Sequence, residues 1–236
     1  MQHPPAEIGM AVADVDTPAL MVDLDAFERN LKTMSDAVAK FGVKLRGHSK
    51  THKCPIVARR QMALGAVGAC CQKVGEAEAM VHGGVTDVLV SNQIVGRTKL
   101  RRLCALASLA KIAVCADDAG NVEDLNTAAV EAGITLPVLV EIDVGSNRCG
   151  VQPGEDALAL AQKIDRSSNL SFGGLQSYHG SAQHMRSYDD RQTAIGAAVA
   201  KTRETIDMLG KNGLTCGIVG GAGTGTYYFE GESGVY

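Results

Sequence analysis

Short apolar runs alternate along the chain with longer stretches in which apolar residues recur at helical spacing. The runs fall at residues 43–46, 66–70, 87–91, 112–115, 137–143, 170–177 and 216–219, each the length of a strand. The helical patterns fall between them, at 74–82, 99–107, 122–132, 157–164 and 191–209. Glycine and polar residues mark the joints: Gly83-Gly84, Gly133, Gly173-Gly174 and Asn212-Gly213. This is the rhythm of βαβ units, a parallel sheet with helices outside it, repeated about seven times. Ahead of the first unit, residues 17–25 read as an extra strand and 26–41 as a helix.

A doubly wound open sheet gives the same rhythm as a (β/α)8 barrel. Polar or reactive residues tip the expectation to the barrel, because they recur just after many strands. They are His48 and Lys50, Gln72, Asn92, Asp117, Arg148, Tyr178 and the glycines from Gly220. A TIM-type barrel gathers every strand's C-terminus on one functional face, whereas an open sheet uses only the crevice at its switch point. At 236 residues the chain is slightly short for a barrel, which typically takes roughly 250. The expectation is therefore one barrel domain over 1–236, truncated after the seventh strand, with the eighth missing or supplied from elsewhere.

Composition narrows the function classes. Hydrophobic residues make up 45%, enough for a sizeable core, and 23 basic against 26 acidic residues leave a net charge of −3. Nothing there points to nucleic acid or an anionic membrane as partner. No apolar run reaches the length of a membrane span, and the first residues lack a signal peptide's order. The seven cysteines show no repeated CxxC spacing, so reduced thiols in a cytoplasmic protein are expected. Adjacent Cys70 and Cys71 read as packing residues at a strand end.

Four segments carry candidate chemistry. Residues 45–53, LRGHSKTHK, follow the first strand. They read either as a solvated basic turn or as a lysine whose cationic neighbours favour its free amine as a nucleophile. His48 and His52 as zinc ligands fit less well, since the stretch follows a strand and Pro55 comes soon after. The second segment, Val219 to Gly225, is almost all small residues. It reads as a tight turn or as a loop whose backbone N–H groups converge on a phosphate. It lacks the lysine of a P-loop. Third, EIDVGSNRCG at 141–150 places Arg148 over the barrel mouth, in a structural pair with an aspartate or in contact with an anionic oxygen. Fourth, Tyr178 and His179 in QSYHG either meet a cofactor ring or pack as strand-end residues in the core.

In order, HSKTHK, DVGSNRCG and GGAGTG resemble the D-threonine aldolase and D-serine dehydratase group of the alanine racemase-like superfamily, the fold-type III pyridoxal-phosphate enzymes. The phrases CCQKVGEAEA, DVLVSN, EIDVGSNRCGV, GLQSYHGSAQH and GTGTYYFE are similar within it to the 3-hydroxy-D-aspartate aldolases, and the likeness runs from Thr17 to Tyr236. The resemblance implies that Lys50 is the lysine that bonds the cofactor's aldehyde. It implies that Arg148 lies near the phenolic oxygen, Tyr178 approaches the pyridine ring and Gln72 is a cofactor-side polar residue. Gly221, Ala222, Gly223 and Thr224 would cradle the phosphate, with Ala222 where a third glycine is common. Gly47 stands where proline or serine is frequent. The resemblance further implies a divalent metal, magnesium or manganese, held beyond Tyr236 in a C-terminal β domain absent from this chain, and a homodimer in full-length form.

The expected activity is cleavage of a D-3-hydroxy amino acid to glycine and an aldehyde such as glyoxylate. The alternatives are a dehydratase of the same fold, a non-catalytic cofactor-binding module, and an unrelated phosphate-binding barrel that does not need a reactive Lys50.

Overall fold

The structure, a computed structural model, describes residues 4–236. Helix α1, Leu24–Phe41, comes first. Strands β1 (Arg46–His48), β2 (Gly68–Cys71), β3 (Asp87–Val90), β4 (Lys111–Ala116), β5 (Leu136–Glu141), β6 (Leu170–Gln176) and β7 (Ile218–Gly220) follow. Helices α2 (Pro55–Ala63), α3 (Val74–His82), α4 (Arg97–Leu106), α5 (Ala119–Ala132), α6 (Glu155–Asp165) and α7 (Tyr188–Lys211) connect them, and α8 (Tyr227–Glu232) lies after β7. Every neighbouring pair is parallel and the strands lie in chain order, β1 to β7. A doubly wound sheet would reverse direction at a switch point; this one winds only one way.

The pleat sorts the side chains into two layers. Val88, Val90, Val114, Val138 and Val140 face the helices and join Met80, Leu103, Leu125, Ile164 and Leu209 in one continuous core. Leu89, Cys115 and Leu139 form a separate small cluster on the other face. The sheet is curled, since α1, which precedes β1, packs on α8, which follows β7. A Cβ added at Gly231 would lie 2.6 Å from the Phe41 ring. Among the described residues β1 and β7 are not paired with each other. The seven strands therefore form an incompletely closed barrel, as the strand-end residues suggested.

Several local expectations need correction. Residues 17–25 form no strand, and Leu20, Met21 and Val22 are exposed. No neighbouring strand among the described residues supplies the hydrogen bonds that would hold one. Helix α1 starts two residues earlier than expected because Asp23 Oδ1 accepts from the Ala26 N–H at 2.9 Å, an N-cap. The first strand begins at Arg46, not 43, since the Val43 N–H still donates to Val38 O past the left-handed Gly42. Helix α2 was missed. Its Pro55, read as a sign against helix, occupies the first turn, where proline's missing N–H costs nothing. All seven cysteines carry free thiols, and Cys70 and Cys71 are buried at the end of β2. No helix among the described residues is long and apolar enough to cross a membrane.

Candidate active site

Parallel strands in chain order bring their C-terminal ends to one rim. After β1, Ser49 to Lys53 make a single turn closed by Lys53 N–H to Ser49 O at 2.7 Å, with Lys53 left-handed at φ 51°. Lys50 is exposed at this turn, its backbone N–H donating to His48 Nδ1 at 3.3 Å. Its side chain makes no hydrogen bond or ion pair among the described residues. Burial, then the Lys50 charge and more weakly that of Arg148, push the His48 imidazole down to about 4, against the pull of Glu76 and the Cys70 carbonyl. His48 is therefore neutral at neutral pH and lies among Lys50, Glu76 and Arg148. Gln72 follows β2, its N–H donating to Glu76 Oε2 at 2.9 Å. His52 Nδ1 accepts from the Cys54 N–H at 3.0 Å.

The loop after β5 is built by Asp143, whose Oδ1 accepts from the Gly145 and Asn147 N–H groups at 2.9 and 3.1 Å. The Gly150 N–H donates to Asp117 Oδ2 at 2.8 Å, and Val151 bridges back to Ile142. This loop carries Arg148. Its partner is not Asp143 but Glu141, 3.5 Å away and buried at the end of β5. Glu141 also accepts from Gln93 Nε2 at 2.6 Å and from the Cys149 thiol at 3.0 Å. Burial, then the bond to Glu141, hold that thiol above its ordinary pKa. The Arg148 guanidinium lies 5.5 Å from the centre of the Tyr178 ring, a cation–π contact. His179, 7% exposed, packs instead against Gly145 and Ser181. Of the two strand-end rings, Tyr178 shares the site with Arg148.

After β7, the Ser177 N–H donates to Gly220 O at 2.7 Å and places the glycine loop beside the end of β6. The N–H groups of Gly221, Ala222 and Thr224 donate to no protein acceptor among the described residues. Ala222 is left-handed at φ 70°, a strained position for a residue with a Cβ. A Cβ at Gly221 would lie 2.6 Å from the Tyr236 ring and 2.7 Å from Ser177 O. One at Gly223 would lie 2.5 Å from both amide heteroatoms of Gln183. These glycines are thus required by the protein's own packing. Gly47, similarly, makes room for the Gln61 amide, 2.6 Å from where its Cβ would stand.

Residues 22–234 match the alanine racemase N-terminal domain. The chain belongs to that family. It is 46% identical over 233 residues to the D-threonine aldolase of an Arthrobacter species, covering 99% of this chain and 62% of that protein. It is 44% identical to a 3-hydroxy-D-aspartate aldolase of Paracoccus denitrificans, covering 98% of this chain and 60% of that one. The crystal structure of the Filomicrobium marinum D-threonine aldolase superposes with a TM-score of 0.97 at 54% identity, covering 100% of this chain and 64% of that one. The chain thus spans about three fifths of the length of these relatives. The likeness read from the motifs is met by the family match and by these relatives.

Within this family fold the structure adds residues that motif reading passed over. The structural partner expected for Arg148 was an aspartate. In the structure Glu141 is the acid paired with Arg148, and Asp143 serves the loop backbone. Gln93 and Cys149 were not singled out. The available signal was alternation: Leu139 faces inward, so Glu141, two residues on, must as well.

Proposed function

We propose that this chain is the cofactor-binding barrel of a pyridoxal-phosphate-dependent carbon–carbon lyase acting on D-amino acids with a β-hydroxyl. Substrates of the D-threonine or 3-hydroxy-D-aspartate type would give glycine and an aldehyde such as glyoxylate. The observation that carries this reading is a pairing on one rim: a lysine amine without a protein partner, and a loop with three unbonded N–H groups, among the described residues. The identity to aldolases over nearly the whole chain supports it.

The donor set fits the cofactor. Lys50 offers an amine to its aldehyde, and Gly221, Ala222 and Thr224 offer N–H groups to its phosphate. Arg148 offers a guanidinium to its phenolic oxygen, Tyr178 an aromatic face, and Gln72 a further polar contact. Bound there, the cofactor supplies a sink for the electron pair released when the Cα–Cβ bond breaks. The chain's own groups bind and orient. Glu141 and Tyr178 hold Arg148 so that its planar fork is presented rather than free to swing. His48, kept neutral by burial, leaves Lys50 and Arg148 as the cations that face an anionic ligand. For the divalent metal implied by the resemblance, no group of three His, Cys, Asp or Glu is placed to hold an ion among the described residues.

The test is borohydride reduction of the cofactor-loaded protein followed by peptide mapping, with the label expected on Lys50. Label on Lys53 or Lys44 instead would overturn the assignment. The protein, given D-threonine and 3-hydroxy-D-aspartate with and without magnesium or manganese, should release glycine and an aldehyde. Release of ammonia and a 2-oxo acid would make it a dehydratase.

A further inference from the structure

The loop after β7 is held by more than its own backbone. Gly223 O accepts from the N–H groups of Thr226 at 3.1 Å and Tyr227 at 3.0 Å, which closes a tight turn. A chain of side chains then joins this turn to the interior. The Gly225 N–H donates to Gln183 Oε1 at 2.8 Å, Gln183 Nε2 donates to Thr226 Oγ1 at 2.9 Å, and the Thr226 hydroxyl donates to Glu230 Oε1 at 2.9 Å. The direction is fixed at every link. A backbone N–H can only donate, so the Gln183 amide oxygen faces Gly225 and its nitrogen faces Thr226. The hydroxyl has one hydrogen; having accepted from Gln183, it gives that hydrogen to Glu230.

The relay ends in the protein. Thr226 is 0% and Glu230 3% exposed, and Glu230 Oε2 is buried without a partner among the described residues. A buried carboxyl with one hydrogen bond is costly, and an apolar residue there would avoid that cost. What the carboxyl provides is an anchor for the loop. In the loop so held the Gly221, Ala222 and Thr224 N–H groups are unbonded among the described residues and Ala222 is left-handed. Gly223 lacks a Cβ where the Gln183 amide lies.

We propose that Gln183, Thr226 and Glu230 are positioning residues that fix the 221–224 loop and so set its affinity for the phosphate end of the cofactor. The inference rests on the reading of that loop as the phosphate site.

The test compares apoprotein binding of pyridoxal phosphate with that of pyridoxal, the same aldehyde without the phosphate, by absorbance titration. The unaltered protein should strongly prefer the phosphorylated form. A preference near unity there would remove the phosphate assignment, and the relay's role with it. Thr226→Val keeps the side chain's shape and removes its donor and acceptor. It should cut the preference roughly tenfold or more, as expected for a lost hydrogen bond to a charged group. Pyridoxal affinity, set at Lys50, should stay within about twofold. Thr226→Ser should restore the preference. An unchanged preference in folded Thr226→Val overturns the proposal. Equal weakening of both ligands does so too, since it marks a general loss of structure. Should Thr226→Val fail to fold, Gln183→Glu decides: its carboxylate still accepts from Gly225 but cannot donate to Thr226. An undiminished preference in that variant overturns the proposal as well.

Discussion

His48 shows how one residue's surroundings become a property that can be measured. In the unfolded chain its imidazole takes up a proton near the ordinary 6.5, and in the folded protein only near 4. Between those values the unfolded state binds the extra proton. Stability is therefore complete above about pH 6.5 and is lost as pH falls toward 4. The ring is only half-buried, so after solvent screening the loss should be about 1–2 kcal/mol. His48→Gln should remove that part of the acid sensitivity. Urea midpoints of both proteins at pH 7.5 and 4.5 measure it; an equal drop in the two would place the sensitivity elsewhere. At this scale the sequence reveals types and order well. Lys50, Arg148 and the glycine loop are marked by short motifs placed just after strands. The partners of those residues are hidden, because pairing depends on chain segments far apart. Glu141 meets Gln93 across 48 positions, and Gln183 meets Thr226 across 43.

At the scale of elements, two glycines separate what packing demands from what it merely tolerates. Gly174 lies in β6 at φ 131°, just after the register shift at Val138/Leu139, and an added Cβ would run into the backbone carbonyl of Ile218 in β7. Backbone cannot yield as a side chain can. Gly174→Ala should therefore cost about 3 kcal/mol or more by combining collision with strain. Gly196 lies exposed within α7 with nothing within 4 Å of its would-be Cβ. Gly196→Ala should stabilise by about 0.5–1 kcal/mol through helix propensity alone. Chemical denaturation of both variants checks the pair; similar shifts of one sign would contradict this account. The same contrast explains which elements were legible. Strands β2 to β6 announce themselves as apolar runs, and α3 to α7 by their spacing. Helix α2 is short and opens on proline, and α8 is a six-residue turn rich in aromatics. Residues 17–25 look like a strand by composition, but a strand also needs a neighbour, which composition cannot supply.

For the whole molecule, the βαβ rhythm alone left two architectures open, and strand order separates them: chain order throughout gives a curled sheet with one rim. Lys50 follows β1 while the glycine loop follows β7, the two outer strands of the curled sheet. Those strands are not paired among the described residues. The two sides of the sheet meet instead through α1 and α8, where the Phe41 ring lies against Gly231. On the proposed reading, a single cofactor gripped by its aldehyde at Lys50 and by its phosphate at the loop would sense the distance between these outer strands. Phe41→Ala should therefore act at long range. Truncating this half-buried ring should cost about 2 kcal/mol of stability, less than the full burial value. It should also weaken pyridoxal phosphate roughly tenfold, because binding must then draw the relaxed ends together. Leu125→Ala, in the fully buried core over the middle of the sheet, supplies the control. It should cost at least as much stability and leave affinity unchanged, since it touches neither end. Titration of both variants under conditions where each is folded decides the matter. If Phe41→Ala binds pyridoxal phosphate as tightly as Leu125→Ala does, the α1–α8 contact does not set the span of the site.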